Sequence, residues 1–171
     1  MPLHDDLLVL ARSLVPQYVP PYPAAPAEAN LRRGVSTAYY ALFHLIVGEA
    51  MIRIVADPAL RSRVARSFQY DKMKQVCQEY SEARPDNAGQ LTIRSGVVIP
   101  VQLRDLGTHF VSLQNARHEA DYNTGTTLTH EEADTQVLTA EAAFLDWDAI
   151  QANPAAAVFL TEVFLRSVTR R

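Results

Sequence analysis

Apolar positions recur at helical rather than strand spacing along most of this chain. Leu3, Leu7, Leu10 and Leu14 repeat at intervals of four, three and four, the stripe of a short amphipathic helix. Asp5 and Asp6 stand in its first turn, where carboxylates complement the helix dipole. Pro16, Pro20, Pro21, Pro23 and Pro26 then crowd one stretch; prolines so spaced exclude a helix interior and predict an extended, polyproline-like connection over 16–26, interrupted by Tyr18 and Tyr22. Such a segment either docks across a helical bundle or serves as an SH3-type ligand. Ligand motifs of that kind usually sit in disordered tails, which favours docking.

Pro26 suits the first turn of a long helix, and no proline interrupts the chain from Ala27 to about Ile54. Leu31, Val35, Ala38, Leu42 and Leu45 form one row. Tyr39, Phe43, Ile46 and Ala50 widen it until the helix should be buried on most sides. Asp57-Pro58 reads as the cap and first turn of a short helix. Tyr70, Met73, Cys77 and Tyr80 mark the next, which must end near Arg84-Pro85. Residues 85–100 hold Pro85, Gly89, Gly96 and Pro100 around two β-prone runs, Leu91-Thr92-Ile93 and Val97-Val98-Ile99. They predict a long loop with a small two-stranded ribbon, either a functional flap or cover for the core. A fifth helix runs from about Val101 to Tyr122 and ends at Asn123-Thr124-Gly125. Thr129-His130-Glu131-Glu132 is a capping box opening the sixth, with Ala133, Val137, Ala140, Phe144 and Trp147 on its buried face. Asn153-Pro154 breaks it, and a last helix carries Val158, Leu160, Val163 and Phe164. With few glycines and no hairpin dipeptide between alternating apolar runs, the expected fold is all-α, over residues 1–171 as a single domain.

Composition narrows the function classes. Hydrophobic residues at 48% and charged ones at 20% over 171 residues provide for a real core and exclude wholesale disorder. Sixteen Lys and Arg against nineteen Asp and Glu leave a net charge of −3, which argues against coating nucleic acid through bulk positive charge. The charge is uneven: residues 53–100 carry eight basic and five acidic side chains, residues 101–152 two and nine. Solvated helix faces account for most of this, and a local phosphate site around Arg61, Arg63, Arg66, Lys72 and Lys74 is the sharper alternative. The single cysteine, Cys77, forms no internal disulfide, in keeping with a reducing compartment. It is expected as a small buried apolar residue rather than a reactive thiol. Asp5 and Asp6 replace the positive charge of a secretory signal, and no 18-residue apolar run for a membrane span is evident, so a cytoplasmic protein that does not enter the membrane is expected. His109, His118 and His130 are scattered, without a His-Glu-x-x-His motif or a cysteine pair. Gly-rich nucleotide loops and a Gly-x-Ser-x-Gly elbow are missing too. No metal and no cofactor is expected.

Two anomalies carry chemistry. On the fifth helix the apolar stripe Leu103, Leu106, Phe110, Leu113 continues in register at 117, where an arginine stands. A guanidinium cannot shed its charge, so on that stripe it needs a partner; Asp121, four residues on, can supply one. Arg117 is then either half of a structural pair or an anion-binding group facing a cleft. On the second helix Ser36, Tyr40 and His44, spaced four apart, line one face as a polar ladder. The ladder can satisfy Arg117 and Asp121 if the two helices pack together. His44 is then a core histidine held by hydrogen bonds, or a base.

The two blocks, Arg33-Gly34-Val35-Ser36-Thr37-Ala38-Tyr39-Tyr40-Ala41-Leu42-Phe43-His44 and Arg117-His118-Glu119-Ala120-Asp121-Tyr122, together resemble the HEPN family, in particular its bacterial branch with a YYA-F helix and an R--ADY helix. The resemblance covers about twenty residues and leaves the terminal helices and the proline segment as additions. It implies an up-and-down helical bundle that forms a homodimer, with the arginine helix facing a cleft at the dimer interface. For many members it implies metal-independent ribonuclease activity of toxin–antitoxin type, with a minimal nucleotidyltransferase as partner. In those members a histidine five to seven residues after the arginine moves protons while the RNA 2′-hydroxyl attacks the adjacent phosphate. Here Tyr122, Asn123 and Thr124 occupy those places. Catalysis would fall to Arg117 with Tyr122, His118 or His44, though a phenol of ordinary pKa about 10 is a poor base at neutral pH. RNA or nucleotide would be bound by Arg117, Asp121, Ser36, Tyr40 and Arg33. The alternative is a non-catalytic interaction module in which the same groups fix helix register.

Overall fold

The computed structural model describes residues 2–169, and the chain is all-α. Its helices among those residues are α1 (Leu3–Leu14), α2 (Glu28–Ile54), α3 (Pro58–Ala65), α4 (Tyr70–Ser81), α5 (Val101–Tyr122), α6 (His130–Ile150) and α7 (Pro154–Val168), with a ribbon of β1 (Arg84–Pro85) and β2 (Leu91–Thr92). Within the span read from the sequence as one domain, backbone contacts delimit two compact units: Met1–His44 with Ser112–Phe144, and Leu45–Val111 with Leu145–Arg171.

In the first unit, α2 contributes Leu31, Val35, Ala38, Tyr39, Leu42 and Phe43 to the core, α5 contributes Leu113 and Ala120, and α6 contributes Ala133, Val137, Ala140 and Ala143. The leucine stripe expected to bury α1 does not do so. Leu3 and Leu10 are exposed, and Leu7 and Leu14 are half-buried, whereas Ala11 and Val15 are sealed. The helix is rotated by about one residue's 100° for two reasons. A Cβ on Gly34 would stand 2.3 Å from Cγ2 of Val15, so the end of α1 lies directly on α2's backbone. The Arg12 guanidinium is also forked onto α6: Nε donates to Oε1 of Glu141 at 2.8 Å and Nη2 to Oε2 at 3.0 Å, while Nη1 donates to Asp134. The proline segment docks by the same route. The Tyr18 amide donates to Oδ2 of Asp134 at 2.9 Å, and the buried His130 ring nitrogen Nε2 lies 2.7 Å from the Pro16 carbonyl. Tyr18 packs edge-on against His130 and stacks on Tyr22.

In the second unit, α4 and α7 lie against each other through Tyr80 on Phe159, with ring centroids 5.1 Å apart. Asp57 caps α3 through the Ala59 amide and Asn153 caps α7 through the Ala155 amide, each at 2.9 Å, the role expected of Asx residues before proline. Gly107 lets α5 approach α4 so closely that a Cβ there would meet the Cys77 carbonyl at 2.5 Å. Cys77 is fully buried, and burial pushes its thiol pKa up, away from reactivity. Two expected core positions prove exposed: Tyr70, at the mouth of α4, and Val158.

The ribbon differs in its pairing. Leu91-Thr92 pairs antiparallel with Arg84-Pro85, and the second β-prone run contributes only a bridge from Val98 to Thr92. Asp86 decides this: its Oδ1 accepts from the amides of Ala88 and Gln90, and Gly89 takes φ +78°, closing a tight turn directly after Pro85. The residues of the basic stretch differ in their surroundings. Arg61 donates to the Val55 carbonyl at the end of α2, Arg63 and Arg66 are exposed, and Lys72 lines a cavity of about 450 Å³ with Arg166 and Thr169.

The sequence reading of no apolar stretch sufficient to cross a membrane needs correction. By length and composition α2 qualifies, with mean hydropathy 1.3 over its best window, because small and aromatic residues fill the gaps between its leucines. Of that window 72% is buried inside the protein, as in a core helix.

Candidate functional site

The polar row of α2 and the arginine of α5 meet in the first unit. Ser36, 1% exposed, donates its hydroxyl to Oδ1 of Asp121. The other oxygen, Oδ2, stands 2.6 Å from Nε of Arg117, an ion pair by proximity rather than an aligned hydrogen bond. Nη2 of Arg117 donates to the Tyr40 hydroxyl at 3.0 Å. The guanidinium carbon lies 5.6 Å from the ring centroids of both Tyr40 and Tyr122, within cation–π range. Spacing explains the meeting. Leu113 and Ala120, at 0% and 6% exposure, put the 117 position over the core, and Ser36 and Tyr40 are successive turns of one face of α2.

Arg117 is not sealed in. Its side chain keeps 24% exposure and that of Asp121 26%, and among the described residues no hydrogen bond engages Nη1 of Arg117. Burial acts to lower its pKa, but Tyr40, Asp121 and Tyr122 outweigh that, so the cation is held above its ordinary value. Arg33 lies seven residues before Tyr40, hence two turns along the same face, and is exposed. The cluster therefore pairs one carboxylate with Arg117 and has a second cation along the same helix face, a combination suited to an anion.

The remaining candidates separate. His118, exposed on α5, sets its ring 5.1 Å from that of Tyr122, which is 64% exposed. His118, Tyr122 and Arg117 are thus contiguous. Among the described residues no hydrogen bond or ion pair links His44 to them; burial first, then the charge of His4 on α1, lowers its pKa, so it favours the neutral form. Of the other histidines, His109 pairs with Asp146 at 3.3 Å in the second unit, and His130 holds the proline segment. Among the described residues, no group of three His, Cys, Asp or Glu side chains is arranged to hold a metal ion.

Two contributors escape a reading of spacing alone. Arg32, adjacent to the candidate Arg33, reaches the end of α5: Nη1 donates to the carbonyls of Ala120 at 3.0 Å and Asn123 at 2.9 Å, and Nη2 to Thr126. It caps the helix that carries the site, where a cation satisfies both the free carbonyls and the dipole. Arg12 is the second. The only sequence signal for it is that Asp134 and Glu141, seven apart, share one face of α6. The chain matches no family model, no curated protein and no solved structure, so its likeness to any family rests on the residues of α2 and α5 described above.

Proposed function

We propose that this is a HEPN-like, cytoplasmic RNA-binding protein that holds an RNA phosphate at Arg117 and acts as a dimer. One observation carries this reading. Arg117 is paired with Asp121 and anchored by Tyr40, yet keeps an unengaged Nη1 and a quarter of its side-chain surface. A guanidinium oriented on two sides and open on a third is pre-organised for a bidentate or single phosphate contact.

Any turnover would be metal-independent transesterification. The 2′-hydroxyl gives up its proton and its oxygen forms a bond to phosphorus, the bond from phosphorus to the 5′-oxygen breaks as that oxygen takes up a proton, and Arg117 stabilises the charge on the phosphoryl oxygens. Of the two histidine candidates, His118 is the proton carrier, because it adjoins Tyr122 and Arg117, whereas nothing ties His44 to that group among the described residues. A minimal nucleotidyltransferase partner belongs to the same proposal.

A second reading has its own support: Ser36 to Asp121 and Tyr40 to Arg117 tie α2 to α5, as an interaction module fixed in register requires. The test is RNA binding and cleavage by metal-free protein beside Arg117→Ala. The RNA reading expects a loss of binding by about 10- to 150-fold, the value of a hydrogen bond to a charged group, with a small loss of stability. The module reading expects a loss of about 3–5 kcal/mol, as when a buried pair is broken, and no RNA effect.

A further inference from the structure

The Tyr122 ring is an exposed aromatic surface beside the Arg117 group, and the phosphate reading gives it no contact with RNA. It ends α5 at a capped backbone, where Arg32 donates to the Ala120 and Asn123 carbonyls on either side of it. Two contacts fix the ring itself: the Arg117 guanidinium at 5.6 Å and the His118 ring at 5.1 Å, inclined by 48°. Even so, 64% of the residue remains open. Of the two carboxylates on the same turn, Asp121 pairs with Arg117, and Glu119 accepts a hydrogen bond from Nδ2 of Asn123 at 2.8 Å.

We infer that Tyr122, backed by His118, is a stacking platform for an unpaired RNA base whose phosphate lies on Arg117, so that the site selects single-stranded over duplex RNA. This rests on the RNA reading of Arg117 and adds the substrate class. The chemistry follows from geometry. Every base offers a π face to an aromatic ring, but only when it is unstacked from its neighbours. In a duplex those faces are covered on both sides, and the deep, narrow major groove admits no side chain. The guanidinium carbon and the Tyr122 centroid lie 5.6 Å apart, so the cation and the ring are direct neighbours. A ring on a capped helix end also loses little freedom on binding.

The experiment titrates fluorescein-labelled single-stranded RNA, the same sequence as a duplex, and a ribose-phosphate oligomer lacking bases against the wild type, Tyr122→Ala, Tyr122→Phe and Arg117→Ala. The expected result is tighter binding of the single strand than of the duplex. Tyr122→Ala should weaken the single strand by about 5- to 150-fold, the range for one lost base stack, while Tyr122→Phe retains it. The baseless oligomer should be indifferent to Tyr122→Ala. Melting curves confirm that the variants are folded, as substitution of so exposed a ring allows. If Tyr122→Ala leaves the single strand unaffected, or the duplex binds as well, while Arg117→Ala still abolishes binding, the platform is overturned and the phosphate site stands. Wild-type protein that binds none of the three probes overturns both.

Discussion

Arg12 and Arg117 belong to the same unit and make ion pairs of similar length, yet they are built for different ends. Arg12 faces two carboxylates. Glu141 takes its Nε and Nη2, Asp134 takes Nη1, and the Val15 carbonyl shares that nitrogen at 3.1 Å. All three nitrogens are engaged, and the acids outnumber the cation, so a further anion meets net repulsion. Arg117 faces one carboxylate, a phenol and two rings, and Nη1 is unengaged. Counting the acceptors around each guanidinium therefore separates a clamp from a receptor more sharply than burial does, since side-chain exposure is 22% for one and 24% for the other.

The largest expected effect tests the clamp. Arg12→Ala leaves Asp134, whose side chain is 9% exposed, without its cation, and should destabilise by about 3–5 kcal/mol. Denaturant unfolding reads this, and RNA affinity measured on the folded fraction should stay put. If Arg12→Ala instead removes RNA binding at full stability, the two arginines have been assigned the wrong way round. Next comes Arg117→Ala, expected to lower RNA affinity by about 10- to 150-fold. Its stability cost should be near 1 kcal/mol, the scale of a solvent-accessible pair.

Gly34→Ala sharpens the comparison from the steric side. Its Cβ would overlap Val15 at 2.3 Å, and forcing α1 off α2 should cost about 1–3 kcal/mol while leaving the Arg117 group intact. Chemical denaturation and RNA titration on the same sample separate the two effects. The smallest effect lies in pH dependence. The folded state holds the His44 pKa below its unfolded value, by burial and then by His4, so protonation favours the unfolded chain. This contribution to stability is present above about pH 6.5 and is lost as pH falls below it. His44→Gln should flatten that part of the stability curve, and leave RNA binding at neutral pH unaltered.

What could be read from the sequence follows how local each cause is. The helices were legible because their apolar rows and proline breaks are local, and Arg117 stood out because an arginine replaced an apolar residue in register. The face of α1 was not legible. Four leucines outweigh Ala11 in any hydropathy pattern, but docking was decided by the close approach of Val15 to Gly34 and by acids more than 120 residues away. Arg32 was hidden for the same reason, since the carbonyls it caps lie 88 and 91 residues on. The partner of Leu91-Thr92 turned on Asp86 closing a turn, a signal present in the chain but weaker than the β-prone run beyond it. Tyr122 was visible as an odd residue where a histidine was expected; its exposure beside a guanidinium required coordinates.

The most direct measurement takes Arg117→Ala through heat denaturation and an RNA titration on one preparation. A receptor arginine should give a melting temperature within about 2–4 °C of the wild type, which is what 1 kcal/mol shifts a chain of this size, together with RNA affinity reduced at least about 10-fold. A fall of about 10 °C with RNA affinity unchanged would make Arg117 a second clamp and contradict the assignment.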